Sequence, residues 1–102
     1  MNSYHFDNER EMRNMLINSI GYGNAVLKIH GIDKGHRNGA ECHVVTDTGL
    51  ILVYNEASKK LVTVLIARPA QVQRYYDMIG QLAPRWLMQI ALDHQRKGYN
   101  ES

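Results

Sequence analysis

The sequence is poor in cysteine, proline and long apolar runs, and each shortage removes a class of protein. A single cysteine, Cys42, excludes an internal disulfide and fits a reducing compartment. Two prolines make no Pro-rich linker, and without repeats or low-complexity tracts the 102 residues read as a single domain, 1–102. The longest apolar-rich run, Leu61 to Ala67, is broken by Thr63 and falls far short of the ~20 residues of a membrane span, so no membrane partner is expected. The N-terminal stretch MNSYHFDNEREM has neither the basic nor the apolar region of a secretory signal, and the expected location is cytoplasmic. Phe and Trp occur once each against six tyrosines, so most of the ring content can hydrogen-bond as well as pack. No charge sign dominates either: twelve Lys and Arg face ten Asp and Glu, and the formal net charge of +2 does not by itself suggest a nucleic-acid partner.

What is present is enough for one core. A chain of this length buries around two-thirds of its unfolded surface, so any active site must sit on that core. From Asp7, the segment DNEREMRNMLINSI carries Met12, Met15, Leu16 and Ile20 at helical spacing, with Asp7 or Asn8 as N-cap and Gly21 and Gly23 behind it. Residues Ala25 to Ile32 fit a short strand or a turn or two of helix, and eight residues do not decide between them. GIDKGHRNGAE then reads as an exposed loop. Glu41 to Thr46, Leu50 to Asn55 and Lys60 to Ala67 follow as strands; their short links, Asp47-Thr48-Gly49 and NEASK, dictate antiparallel pairing. LVTVLIA is apolar on both faces and is expected as a central strand. Pro69 opens a helix that stops at Gly80. Pro84 opens another over 84–97, with Trp86, Leu87, Ile90, Ala91 and His94 on its apolar stripe and Trp86 in the core. The expected class is α+β: an N-terminal helix, a small antiparallel β-meander of three to four strands, and two C-terminal helices packed on the sheet.

The densest chemical signal is His30, His36 and His43, with Lys34 and Arg37 between them. Histidine gives or takes a proton near neutral pH, and two histidines can divide the work. Cleaving RNA by internal transfer needs a base for the 2′-hydroxyl proton, an acid for the leaving 5′-oxygen, and cations for the phosphorane charge. His30, His36, Lys34 and Arg37 supply that set without a cofactor. The same His and Cys types at 30, 36, 42 and 43 also suggest zinc, but their spacing does not match paired ligands, and Cys42 and His43 point to opposite faces of a strand. No metal is therefore expected.

A second signal lies between Glu56 and Asp77, where Lys59, Lys60, Arg68 and Arg74 meet no acidic residue. Arg68 stands where a helix N-terminus also favours an anion, with Thr63 on the strand before it; a surface ion pair and a tolerated strand threonine fit equally. Tyr75 beside Arg74 suits stacking on an unpaired base, or the edge of the core.

The pieces KIHGIDKGH at 28–36, CHVVTDTGLILVYN at 42–55 and KLVTVLIARPAQ at 60–71 resemble, in layout, the ribonuclease-toxin group described as barnase, EndoU, colicin and RelE-like. IARPAQVQRYY looks like the closing element of BrnT-type toxins, which act on RNA. The likeness spans roughly residues 28–76. It implies a metal-independent endoribonuclease with His30, His36, Lys34, Thr63 and Arg68 as the catalytic set, and Arg37, His43, Arg74 and Tyr75 binding substrate. RNA is the implied substrate and an antitoxin protein an implied partner. The 84–97 helix is left as a homodimer surface, an antitoxin dock or a lid on the sheet. The alternative is a non-catalytic module, regulatory or phage-type, that binds nucleic acid or protein through its basic strand–helix corner.

Overall fold

A computed structural model describes Asn18, residues 21–33 and residues 39–97. Four strands run in chain order: β1 (Ala25–Ile32), β2 (Glu41–Thr46), β3 (Leu50–Asn55) and β4 (Leu61–Ile66). They form one antiparallel meander in the order β1-β2-β3-β4. Two helices follow, α1 (Pro69–Met78) and α2 (Arg85–Arg96). No described helix is long and apolar enough to cross a membrane.

This order corrects the expected one. Among the described residues no helical element precedes the sheet, where Asn18 alone is helical, and both helices come after it. The segment expected as an N-terminal helix lies, Asn18 excepted, outside the described residues. The ambiguous AVLKIHGI is a strand, held by pairing of Lys28 with Val44 and Ile29 with His43. Ile29 is buried while Lys28 and His30 are exposed, the period-two pattern of a strand with one face against a core.

Tight turns set the meander. At the β2–β3 hairpin Gly49 takes φ +81° and its N–H donates to the Thr46 carbonyl at 3.1 Å, while the Leu50 N–H donates to Thr46 Oγ1 at 3.2 Å. β4 is an edge strand, which corrects the expectation that LVTVLIA lies centrally. Its apolar character on both faces has a different cause: Val64 and Ile66 are buried on one face near the helix-proximal end, whereas Leu61 and Val62 stay exposed. The strands buried along their length are β2 and β3.

Pro69 starts α1 with a fixed φ, and the Gln71 carboxamide accepts from the Arg68 N–H at 3.1 Å. On α2 the stripe is Leu87, Ala91 and His94, spaced i, i+4, i+7. Trp86 sits about 100° round the helix from Leu87. It is 48% exposed, which corrects its expected place in the core. The main core joins Ile29, Val45, Ile51 and Val53 of the sheet to Val72, Tyr75 and Tyr76 of α1 and Leu87 and Ala91 of α2. Each fully buried aliphatic side chain there contributes about 1.5–3 kcal/mol. The alternate strand positions, Cys42, Val44, Leu50, Leu52, Val64 and Ile66, form a second buried cluster on the opposite face.

Candidate functional site

The face of the sheet opposite the helices carries the chemistry. Pairing of Lys28 with Val44 and of Cys42 with Tyr54 brings Lys28, His30, Cys42 and Tyr54 onto that face. The β1 register slips between Ile29 and Ile32, and Gly31 in the slip has φ +72°, the conformation of a bulge glycine. The bulge frees a backbone N–H: Gly31 donates to Glu56 Oε1 at 2.8 Å. Glu56, just past β3, is tied to the sheet by its own N–H donating to the Ala40 carbonyl at 3.0 Å.

The other carboxylate oxygen, Oε2, lies 2.9 Å from His30 Nδ1. An ionised carboxylate only accepts, so the imidazole donates through Nδ1 and keeps Nε2 for other partners. These two hydrogen bonds, from His30 and then from Gly31, hold the Glu56 carboxyl below its ordinary range. Beneath them Cys42 is buried, and burial, with the Glu56 charge second, pushes its thiol up. One ligating atom from each of His30, Cys42 and Glu56 lies within 4.8 Å of the other two. They sit in a groove of about 440 Å³ that Lys28, Lys59, Tyr54 and Asn55 also line. Lys59 holds φ +63°, a left-handed conformation that non-glycine residues adopt at a cost.

Of the catalytic set expected from sequence, His30 is the one described residue that lies in this groove. Lys34, His36 and Arg37 fall outside the described residues. Thr63 pairs with Val53, which pairs with His43, so it belongs to the helix-covered face. Arg68 precedes α1 at the far end of the sheet, at least roughly 20 Å from His30 at ~3.3 Å per residue along the strands. Arg74 is exposed on α1.

His43 and Tyr75 meet in the core. His43 is 4% exposed and its Nε2 lies 2.9 Å from Glu41 Oε1, so Nε2 donates. Its Nδ1 then accepts from the Tyr75 hydroxyl, and the two rings meet edge to face with centroids 5.6 Å apart. Burial pushes the Tyr75 hydroxyl up, so it remains a donor. At 8% exposure the Tyr75 ring offers no open face to a base. This relay ties β2 to α1 instead of facing the groove.

Sequence reasoning missed Glu56 and Lys28, and read Lys59 only as part of the basic run before Asp77. The alternation Lys28, His30 was present in AVLKIHGI and becomes readable once that segment is a strand. Glu56 gave no signal, because a single acid in a turn does not announce that a bulge two strands away will supply its partners. Compared with protein-family models, curated proteins and solved structures, the chain matches none.

Proposed function

We propose that this chain is a metal-independent endoribonuclease whose acid–base chemistry centres on His30, held by Glu56. The observation that carries the reading is the 2.9 Å His30–Glu56 pair on a groove lined by Lys28 and Lys59. His30 Nε2 takes the proton of an RNA 2′-hydroxyl. The 2′-oxygen then attacks phosphorus and the bond to the 5′-oxygen breaks, leaving a 2′,3′-cyclic phosphate and, once protonated, a 5′-hydroxyl. Glu56 fixes the ring tautomer and stabilises the imidazolium that forms. Lys28 and Lys59 offset the charge gathering on the phosphorane oxygens.

The acid for the 5′-oxygen is proposed to be His36, with Lys34 and Arg37 beside the phosphate, on sequence grounds alone. They follow β1, which ends at Ile32 two residues past His30, and precede Ala40, whose carbonyl accepts from the Glu56 N–H. The resemblance to ribonuclease toxins points the same way, and with it come two proposed partners, an antitoxin and a second copy of the chain bound through the 84–97 helix.

The test is cleavage of short single-stranded RNA in EDTA. Wild type should give cyclic-phosphate ends, and His30→Ala should lose at least about 100-fold in rate. The His30 side chain is 69% exposed, so its removal leaves the fold standing. Wild-type turnover by His30→Ala would remove the assignment. RNA binding without turnover would favour the non-catalytic module, for which Arg68 and Arg74, exposed outside the groove, are the specific support.

A further inference from the structure

We infer that His30, Cys42 and Glu56 form a zinc site with three protein ligands and an open fourth position toward the groove, and that zinc there silences His30. The coordination half stands on the cluster itself; the silencing half rests on the ribonuclease reading above.

The ligand set selects the metal. A thiolate, an imidazole and a carboxylate together suit a borderline-soft ion, whereas magnesium and calcium require oxygen alone. With zinc bonds of 2.0–2.3 Å, tetrahedral ligands stand about 3.3–3.6 Å apart. The three ligating atoms already lie within 4.8 Å of one another, and His30 Nδ1 and Glu56 Oε2 are 2.9 Å apart. Gathering them needs shifts on the order of 1 Å, mostly by the two side chains at the rim, the exposed His30 and the half-buried Glu56. His30 is 69% exposed at its side chain and Glu56 29%, while Cys42 forms the buried floor.

The parts are placed independently of any metal. Register aligns Cys42 with Tyr54 and continues the β1–β2 pairing to bring His30 beside it, and the Gly31 N–H keeps Glu56 Oε1 turned inward. That N–H would act as the outer-shell donor that orients a ligating carboxylate. The position of the ligands along three adjacent chain segments, not in a short CxxC-type pair, is why their spacing argued against zinc in the sequence.

Coordination balances simply. The Cys42 S–H proton leaves to solvent, the thiolate and carboxylate offset the two positive charges of the ion, and His30 binds as the neutral ring. Lys28 and Lys59 then leave the groove net positive, so water, hydroxide or a small anion completes the sphere. Zinc also takes the Nδ1 that Glu56 holds, and with it the orientation that aims Nε2 at substrate.

The experiment is cobalt titration of the metal-free, reduced full chain. One equivalent should produce the visible bands of tetrahedral cobalt together with a near-ultraviolet thiolate-to-cobalt band, both discharged by zinc. Cys42→Ser should lose the thiolate band, and His30→Ala, whose exposed side chain does not hold the fold, should weaken zinc binding at least about tenfold. Absence of the bands in wild type, or unchanged zinc affinity in His30→Ala, overturns the site. Zinc added to the EDTA-treated enzyme should abolish RNA cleavage; cleavage undiminished at saturating zinc overturns the silencing half. Should EDTA-treated wild type show no cleavage at all, the ribonuclease reading fails with the silencing claim, while the cobalt spectrum still decides coordination.

Discussion

Lys59 puts a functional group and a strained backbone at one position. Its φ of +63° is stabilised by its N–H donating to the Asn55 carbonyl at 2.8 Å, inside a turn also closed by the Ser58 N–H on Asn55 Oδ1 at 2.8 Å. An L-residue in that region gives up about 1–2 kcal/mol, and glycine would recover it less the entropy it adds to the unfolded chain. The lysine persists there with its side chain lining the groove beside Glu56. Lys59→Gly is therefore expected to melt at the same temperature as wild type or a few degrees higher, and to show a raised KM for RNA. Thermal denaturation and steady-state cleavage on one preparation check both. A lower melting temperature would show that the strain is not there to relieve, and an unchanged KM would remove Lys59 from the phosphate contacts.

At the scale of elements, the joint between the β2–β3 hairpin and α2 sets how closely the helix layer approaches. A Cβ on Gly49 would stand 2.7 Å from Ile90 Cγ2 and 2.8 Å from His94 Cε1, and the φ of +81° disfavours a side chain there in any case. Gly49→Ala should cost about 2–5 kcal/mol, the sum of left-handed strain and overpacking. Gly80→Ala is the control, because Gly80 has φ +70° and open space around its Cβ position. It should cost about 1–2 kcal/mol. Equal losses in chemical denaturation would mean that α2 moves aside freely. Local rules made the hairpin legible in the sequence: Asp47-Thr48-Gly49 allows no connection except a tight antiparallel turn. They failed where a tertiary neighbour decides. Eight residues of AVLKIHGI become a strand through pairing with β2. Trp86 is excluded from the core by the angle at which Leu87 and Ala91 meet the sheet, which helical spacing alone leaves free within a quarter turn. For the site, strand alternation correctly separates Cys42 from His43, but the convergence of His30 with Glu56 depends on the Gly31 bulge, a register event that no short motif encodes.

Among the described residues, two pairs of basic groups stand apart, Lys28 and Lys59 in the groove and Arg68 and Arg74 at the corner. With a net charge of +2 neither can rely on a long-range field. The screening length at physiological salt is about 8 Å, less than half the roughly 20 Å between His30 and Arg68, so the two regions attract phosphates independently. Their contributions can thus be separated by salt. For single-stranded nucleic acid each neutralised phosphate adds about 0.7 to the negative slope of log affinity against log salt. If RNA lies in the groove, the double variant Lys28→Gln/Lys59→Gln should flatten that slope by about 1.4, while Arg68→Gln/Arg74→Gln leaves it unchanged. Fluorescence-anisotropy titrations at several salt concentrations, made with the uncleavable 2′-deoxy strand, measure binding apart from turnover. The reverse pattern would place the nucleic acid on the corner, away from His30 and Glu56, and no acid–base role in RNA cleavage could then be assigned to the pair.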